Sequence, residues 1–376
     1  MLFLEGVRVL DFTTLLPGPL ATLVLAEAGA DVIKIERPGG DPTRHSPPFV
    51  DGESVPFAML NRGKRSIEID LKKPGAASRI LALAQSADVV IEQFRPGVMD
   101  RLGVGYEAMR QANPKCIYCA ISGYGQRGLR ADVAGHDLNY VAEAGLLAVT
   151  SDRHGDPVMP HTQLADIGAG SYPAVINILL ALYRAQTTGT GAFLDVAMTE
   201  QTFPFLWQAL THGWATGTMA DPSELPLLGG SPRYGLYATA DGRMLALGAL
   251  EDRFWDNFCE LVDLPAALRD DTRDPEATRQ GVRDAVAAHP AAYWRPKLRD
   301  AKHLCCTLVP SLADAVADPQ FAERGIFSAR VAVGHGSELP AVPVPLAHGV
   351  ARRTAPAGPP SRAPRLGDAN GLLPPT

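Results

Sequence analysis

The sequence predicts an α/β protein: a doubly wound sheet of parallel strands, followed by a smaller α+β domain. Three observations carry that reading. Apolar strand-like runs alternate with helical stretches over residues 7–122, joined by short links. Asp241-Gly242 stands between two alternating runs, the signature of an antiparallel hairpin. The chain has 376 residues, 46% hydrophobic and 20% charged, a globular mix at a length of roughly two to three domains.

Residues 7–12 read as the first strand. Residues 17–29 read as an amphipathic helix that Gly29 stops, and 31–35 as a second strand parallel to the first. The unit then repeats. Strand 66–70 leads to helix 74–86, with Pro74 in its first turn. Strand 87–91, helix 106–113 and strand 116–122 follow. A long helix near 166–186 leads to a strand at 193–197. The large domain is thus read as residues 1–210. Residues 211–232 are rich in Gly, Pro and small polar residues and read as a linker. The small domain, 233–327, holds hairpin strands 234–239 and 243–248 and helices at 251–261, 275–289, 291–301 and 311–317. Residues 328–376 are Pro- and Gly-rich. They read as an extended return to the large domain, with a loose tail from about Arg352.

Charge and cysteine content narrow the function. The 35 basic and 41 acidic residues leave a net charge of −6, which argues against a nucleic-acid partner. Apolar runs such as 176–182 fall short of the ~20 residues of a bilayer span. The N-terminus lacks a signal-peptide pattern. The expectation is a cytoplasmic protein without a membrane partner. Five cysteines in such a chain read as free thiols, and Cys116 and Cys119 as core residues of a buried strand. No His/Cys cluster has metal-ligand spacing, so no metal is expected.

Gly123-Tyr124-Gly125-Gln126-Arg127-Gly128 follows a strand, yet it leads into a loop and not a helix. The dinucleotide fingerprint needs that helix, so the motif reads as a tight turn against a ligand. Basic turns close several strands: Arg37 after Glu36, Arg62, Lys64 and Arg65 before residue 66, and Arg95 in Phe94-Arg95-Pro96-Gly97. At the ends of a parallel sheet they would converge on one anionic ligand. His136 and Asp137 stand at a helix start, Asp166 at another, and Glu251 heads the first helix of the small domain. An acid at such a place is by default a helix cap.

Together these segments resemble the class III CoA-transferase superfamily, also called the CaiB/BaiF family, and within it the α-methylacyl-CoA racemases. The resemblance rests on motifs in one order: residues 31–38, 60–74, 94–103, 122–128, 135–140, 163–168 and 239–251. It implies an interlocked homodimer with a Rossmann-like large domain, a small domain, and a site at the interface. It also implies that His136, Asp166 and Glu251 are catalytic. Arg37 and Arg101 would face the phosphates of coenzyme A, which enters as part of the substrate and not as a cofactor. Ile69, Leu71, Lys72, Gln93 and Phe94 would line its nucleotide. Tyr124 and Gly125 would lie along the pantetheine, and Asp137 would also take part in binding coenzyme A. Arg233 stands where racemases often carry an apolar residue beside the acyl group, which points to a polar or carboxylated chain.

The residue types fit a racemase. One base must take the α-proton of a thioester from one face, and an acid must return a proton to the other. His136 and Asp166 are suited to those roles, and each is worth ~10²–10⁴ in rate. Glu251 would orient His136, and backbone N–H groups after His136 would hold the enolate oxygen. The alternative is a CoA-transferase in which Asp166 is the nucleophile and His136 has no part.

Overall fold

The computed structural model describes residues 2–152, 155–219, 221–299, 301–347, 349–350 and 360–375. The chain divides into two compact units. The first comprises Met1–Ala148, Val158–Phe205 and Pro319–Thr376, the second Val149–Pro157 and Leu206–Asp318.

The first unit is built on six strands: β1 (Arg8–Asp11), β2 (Asp31–Glu36), β3 (Arg65–Glu68), β4 (Val89–Glu92), β5 (Ile117–Ser122) and β6 (Ala192–Ala197). All pair in parallel, in the order β3-β2-β1-β4-β5-β6. The chain therefore runs outward from β1 to β3, then starts again on the other side with β4. The gap between β1 and β4 is a topological switch point, where such sheets bind ligands beyond their carboxyl ends.

Helix α1 (Pro17–Glu27) was expected to be amphipathic, but all eleven of its residues are buried. It packs against the sheet on one side and against α2 (Val55–Asn61) and α7 (Tyr172–Thr188) on the others. A helix covered on every side must be apolar all round. Further helices of this unit are α3 (Ala76–Ala84), α4 (Val98–Arg101), α5 (Tyr106–Ala112) and α6 (Asp137–Glu143), with a short one at Pro319–Glu323. The long helix expected near 166–186 opens as a π-helix, Ala165–Ser171, before continuing as α7. Ala165–Thr188 is long and apolar enough to cross a membrane by length and composition, and half of its most apolar stretch is buried within the protein.

The second unit carries α8 (Trp207–Thr216), so the stretch read as a linker opens inside a helix. The hairpin forms as read. Strands β7 (Tyr234–Ala238) and β8 (Met244–Gly248) pair antiparallel, with Gly242 at φ 73° in the turn. A third strand, β9 (Cys306–Leu308), joins β8; its three residues were too few to stand out in the sequence. Helices α9 (Asp252–Leu261), α10 (Pro275–Ala287) and α11 (Ala291–Arg299) cover the sheet around buried Trp255, Phe258 and Trp294.

The tail is less loose than expected. Residues 351–359 lie outside the described ones. Before them, β10 (Arg330–Val333) pairs with β11 (Ser337–Pro340), and after them β12 (Ser361–Arg362) joins β10. The last residues then dock on β3, the edge strand. The Ala369 N–H donates to the Ser66 carbonyl, Asp368 accepts from the Ser66 N–H, and Asn370 from that of Glu68. Ala369 and Leu373 enter the core. The tail thus covers main-chain groups that an edge strand leaves open.

Charged groups are buried at the carboxyl ends of β1 and β2. Lys64 Nζ lies 3.2 Å from Asp11 and also reaches Thr22, Asn61 and the Pro19 carbonyl. Lys34 Nζ lies 2.9 Å from Asp41 and donates to the Thr13 carbonyl at 2.7 Å. All four charged side chains are inaccessible to solvent. Burial alone would push the Asp11 carboxyl up. Lys64 and Lys34, with the hydroxyls of Thr13 and Thr22, instead hold it down at about 2.

Removing one partner of this pair leaves a buried, uncompensated charge. Lys64→Met is expected to cost ~3–5 kcal/mol of stability, read as a lower urea midpoint. The Asp11 contribution is present above the ordinary carboxylate range (~3.9) and is lost as pH falls through about 2. A midpoint unchanged in Lys64→Met would remove the pair from the stability of the fold.

Candidate active site

A cavity of ≈430 Å³ opens at the switch point. The turns that follow the strands build it. Leu15 and Pro17 come after β1, Gln93 to Pro96 after β4, Ser122 and Gly123 after β5, and Met198 after β6. His136, Asn139 and Tyr140 close one wall and Asp166 another.

The lysine pairs shape the first of these turns. The Thr13 N–H and hydroxyl both donate to Asp11, while its carbonyl takes Lys34. Beyond this anchor Leu15 adopts φ 62°, a left-handed conformation that a bulky residue rarely takes. Ser171, fully buried, ties this turn to Asp166 by donating to the Pro17 and Asp166 carbonyls. Gly123 must be glycine, since a Cβ there would lie 2.3 Å from the Tyr140 ring. Tyr140 in turn donates its hydroxyl to the Gly135 carbonyl, just before His136. Burial and the nearby Asp166 charge push this phenol up to about 12, so it remains a donor.

His136 and Asp166 therefore share one cavity, although they come from different elements. His136 caps α6. Its N–H donates to Asn139 Oδ1, and its carbonyl takes the N–H groups of Asn139 and Tyr140. The N–H groups of Asp137 and Leu138 precede those first helical bonds. Asp166 opens the π-helix, a turn type that recurs at functional sites. Its N–H donates to Asp137 Oδ1 at 2.9 Å. Burial is the main cause that pushes its carboxyl up to about 6; Asp137 adds to the rise and His136 opposes it.

The other expected residues distribute as follows. Gln93 and Phe94 line the cavity, and Gln93 accepts the Gly18 N–H. Tyr124 packs edge-on to Tyr140, and Gly125 takes φ 85° in the turn that follows β5. Arg37 and Lys72 are exposed at turns and Arg101 at the end of α4; Ile69 fills the core and Leu71 packs against it. Glu251 is exposed at the cap of α9 in the second unit and is not among the residues lining this cavity.

Two expectations change. Arg62, Lys64 and Arg65 do not converge on a ligand: they pair with Glu27, Asp11 and Asp31. Glu36 is likewise taken by Arg44, Ser66 and the Asp41 N–H. Arg233 is engaged within its own unit by Asp252 and Asp271, over the face of Trp255, and so gives no reason to favour a polar acyl chain. Cys116 and Cys119 are buried as expected, and burial raises the Cys116 thiol to about 12.

Sequence reading passed over Tyr140, Asn139 and Glu92. Burial lifts the Glu92 carboxyl to about 8, and it accepts the Phe94 N–H at 2.7 Å beneath the cavity. The one signal for it was an acid closing an apolar strand.

A family model described as CoA-transferase family III matches residues 4–370. The chain is 34% identical over 354 residues to a mouse alpha-methylacyl-CoA racemase, covering 91% of this chain and 86% of that protein. It is also 33% identical to an acetyl-CoA:oxalate CoA-transferase of Acetobacter aceti, covering 86% and 84%. Among solved structures it is similar to a CaiB/BaiF family protein from Brucella suis, with a TM-score of 0.82, 27% identity, and 99% and 98% of the two chains covered. The protein belongs to the class III CoA-transferase family.

The raised Asp166 carboxyl carries a stability signature. Between an ordinary unfolded value (~3.9) and about 6 the folded protein binds the extra proton, so ionised Asp166 destabilises the fold above that window. Asp166→Asn is expected to raise Tm at pH 8, with the gain shrinking as pH falls from about 6 towards 4. An unshifted Tm across this range would contradict a desolvated Asp166.

Proposed function

We propose that this protein is an acyl-CoA racemase. It inverts the α-carbon of a 2-methylacyl-CoA, or a related 2-substituted acyl-CoA, by two-base 1,1-proton transfer. The observation that carries the reading is His136 and Asp166 lining one cavity at the switch point. A neutral His136 takes the α-proton from one face while protonated Asp166 delivers one to the other; the reverse direction uses ionised Asp166 and imidazolium. The enolate formed between these steps needs donors, and the Asp137 and Leu138 N–H groups at the start of α6 are placed beside His136 to serve. No metal or redox group takes part in this scheme, and coenzyme A enters with the substrate.

The exposed guanidinium groups of Arg37 and Arg101 would hold the CoA phosphates. Lys72 would extend that basic rim, with Leu71 against the nucleotide. Glu251 would orient His136 and stabilise its imidazolium, and its side chain is not spent on capping the helix it heads. A homodimer is part of the proposal. Ile176, Leu179, Leu180 and Tyr183 form an exposed apolar stripe at helical spacing on α7, the kind of face a second copy would cover. A class III CoA-transferase with Asp166 as nucleophile is the second reading, favoured by transferases matching this chain about as well as racemases do.

Incubating the protein with (R)- or (S)-2-methylacyl-CoA in deuterated water separates the two. The racemase reading expects α-deuterium with inversion. CoA passed to an added free acid without α-exchange would replace it with the transferase. His136→Ala and Asp166→Ala should each lose ~10²–10⁴ in epimerisation and retain exchange from one enantiomer better than from the other. Wild-type epimerisation in His136→Ala would end the racemase reading.

Two further outcomes follow. Arg37→Ala and Arg101→Ala should each weaken CoA binding by ~1.5–3 kcal/mol, the worth of a charge-assisted hydrogen bond; unchanged affinity would remove them from the site. In sedimentation, an active 40.0 kDa monomer at nanomolar concentration would contradict the dimer.

A further inference from the structure

The α6 cap and the π-helix bring a second carboxylate to Asp166. Asp137 Oδ1 accepts the Asp166 N–H at 2.9 Å. The bond ties the helix that His136 caps to the turn that carries Asp166. It also sets two carboxyl groups side by side in a half-buried place. A structural tie alone would be met by any acceptor, and an asparagine would avoid the repulsion between like charges.

We propose that Asp137 is a positioning residue for Asp166, fixing the first turn of the π-helix against the cavity and setting the balance between Asp166 and His136 as proton acceptors. The inference rests on the racemase reading. In that reaction the pair holds one proton in total. In one direction the α-C–H bond breaks, its proton passes to neutral His136, and the Asp166 carboxyl gives its own proton to the opposite face of the enolate. In the other direction ionised Asp166 accepts and the imidazolium gives. Both forms of the free enzyme are ready only when the two groups hold the proton about equally well. An ordinary aspartate (~3.9) is a poor proton holder; burial first, and then the Asp137 charge, raise Asp166 to about 6 and make it a better one.

Other charges near Asp166 leave this role to Asp137. His136 and Tyr140 face it from α6 and its cap, and Arg95 lines the same cavity. Of the elements packed on the π-helix, α1 carries Glu27, paired to Arg62, and β6 carries Asp195, which takes the Gln126 N–H. α7 adds Tyr172, Tyr183 and Arg184. Asp137 is the acid whose charge raises the Asp166 carboxyl.

The test compares Asp137→Asn with Asp137→Ala. Asparagine keeps an acceptor for the Asp166 N–H and removes the charge; alanine removes both. The acid limb of kcat/KM reports the free enzyme. In Asp137→Asn it is expected to move to lower pH by about half to one unit, since a neighbouring negative charge has gone. Asp137→Ala should lose about tenfold or more in kcat, with Asp137→Asn recovering part of it. An unmoved acid limb in an Asp137→Asn variant that still epimerises would overturn the proposal and leave the racemase reading intact. Absence of α-exchange in the wild type would overturn the reading itself. Should the alanine variant not fold, a carboxyl-carbon NMR titration of Asp166 in the wild type and in Asp137→Asn serves: a lower midpoint in the variant supports the proposal, and an unmoved one overturns it.

Discussion

The site depends on two lysines buried with two aspartates at the carboxyl end of the sheet. Burying four charges is costly unless each is paired and hydrogen-bonded. Here Lys64 reaches Asp11, Thr22, Asn61 and a carbonyl, and Lys34 reaches Asp41 and the Thr13 carbonyl. An apolar core of the same volume would be at least as stable. What the charges add is direction: Lys34 Nζ fixes the Thr13 carbonyl in the turn after β1, and Lys64 Nζ ties Asp11, which accepts from Thr13, to α1 and Asn61. That turn then holds Leu15 left-handed at the cavity and offers the Pro17 carbonyl to Ser171. Ser171 passes the constraint on to Asp166. The main-chain position of Asp166 thus traces back, through these links, to ion pairs that never meet solvent.

The same economy commits several arginines to acids of the protein itself. Arg62, Arg65 and Arg44 are committed to Glu27, Asp31 and Glu36. Arg233 is committed to Asp252 and Asp271. Each bridges segments far apart in sequence, and the planar guanidinium suits that role because it donates in several directions at once. Arg37, Arg95 and Arg101 are exposed instead: Arg37 and Arg95 lie on the turns after β2 and β4, and Arg101 ends α4.

Much of the fold was legible because the large unit repeats one pattern. Strand positions agree to within one or two residues, since apolar runs bounded by helices allow few alternatives. What was not legible has physical causes. Nothing local marks whether a basic turn such as Arg62-Gly63-Lys64-Arg65 will meet a ligand or a buried acid; its partners Glu27, Asp11 and Asp31 are 31 or more residues away. The docked tail is held by main-chain bonds and by Asp368 and Asn370, which leave no periodicity. The π-helix at Ala165–Ser171 shares the composition of an ordinary helix, so only the folded backbone reveals it. His136 and Asp166 were legible as helix-start residues. Their sharing of one cavity rests on the order of β5 and β6 in the sheet.

That sharing has an electrostatic consequence. In the racemase reading His136, exposed at the cavity, and half-buried Asp166 hold one proton between them. The protonated acid with a neutral imidazole is uncharged, and the ionised acid with imidazolium is an ion pair. Neither form carries net charge, so passing between them changes little in the surrounding field. Asp137 breaks that neutrality by adding one negative charge, and its cost is eased by the Asp166 N–H that it accepts. The added charge disfavours the ionised acid and so offsets the usual advantage of imidazole over carboxylate as a proton holder. A site that must run a reaction of nearly equal endpoints in both directions gains from this levelling. On the proposed racemase reading, that levelling is the use of setting Asp137 beside Asp166; a nucleophilic carboxylate alone would not call for it.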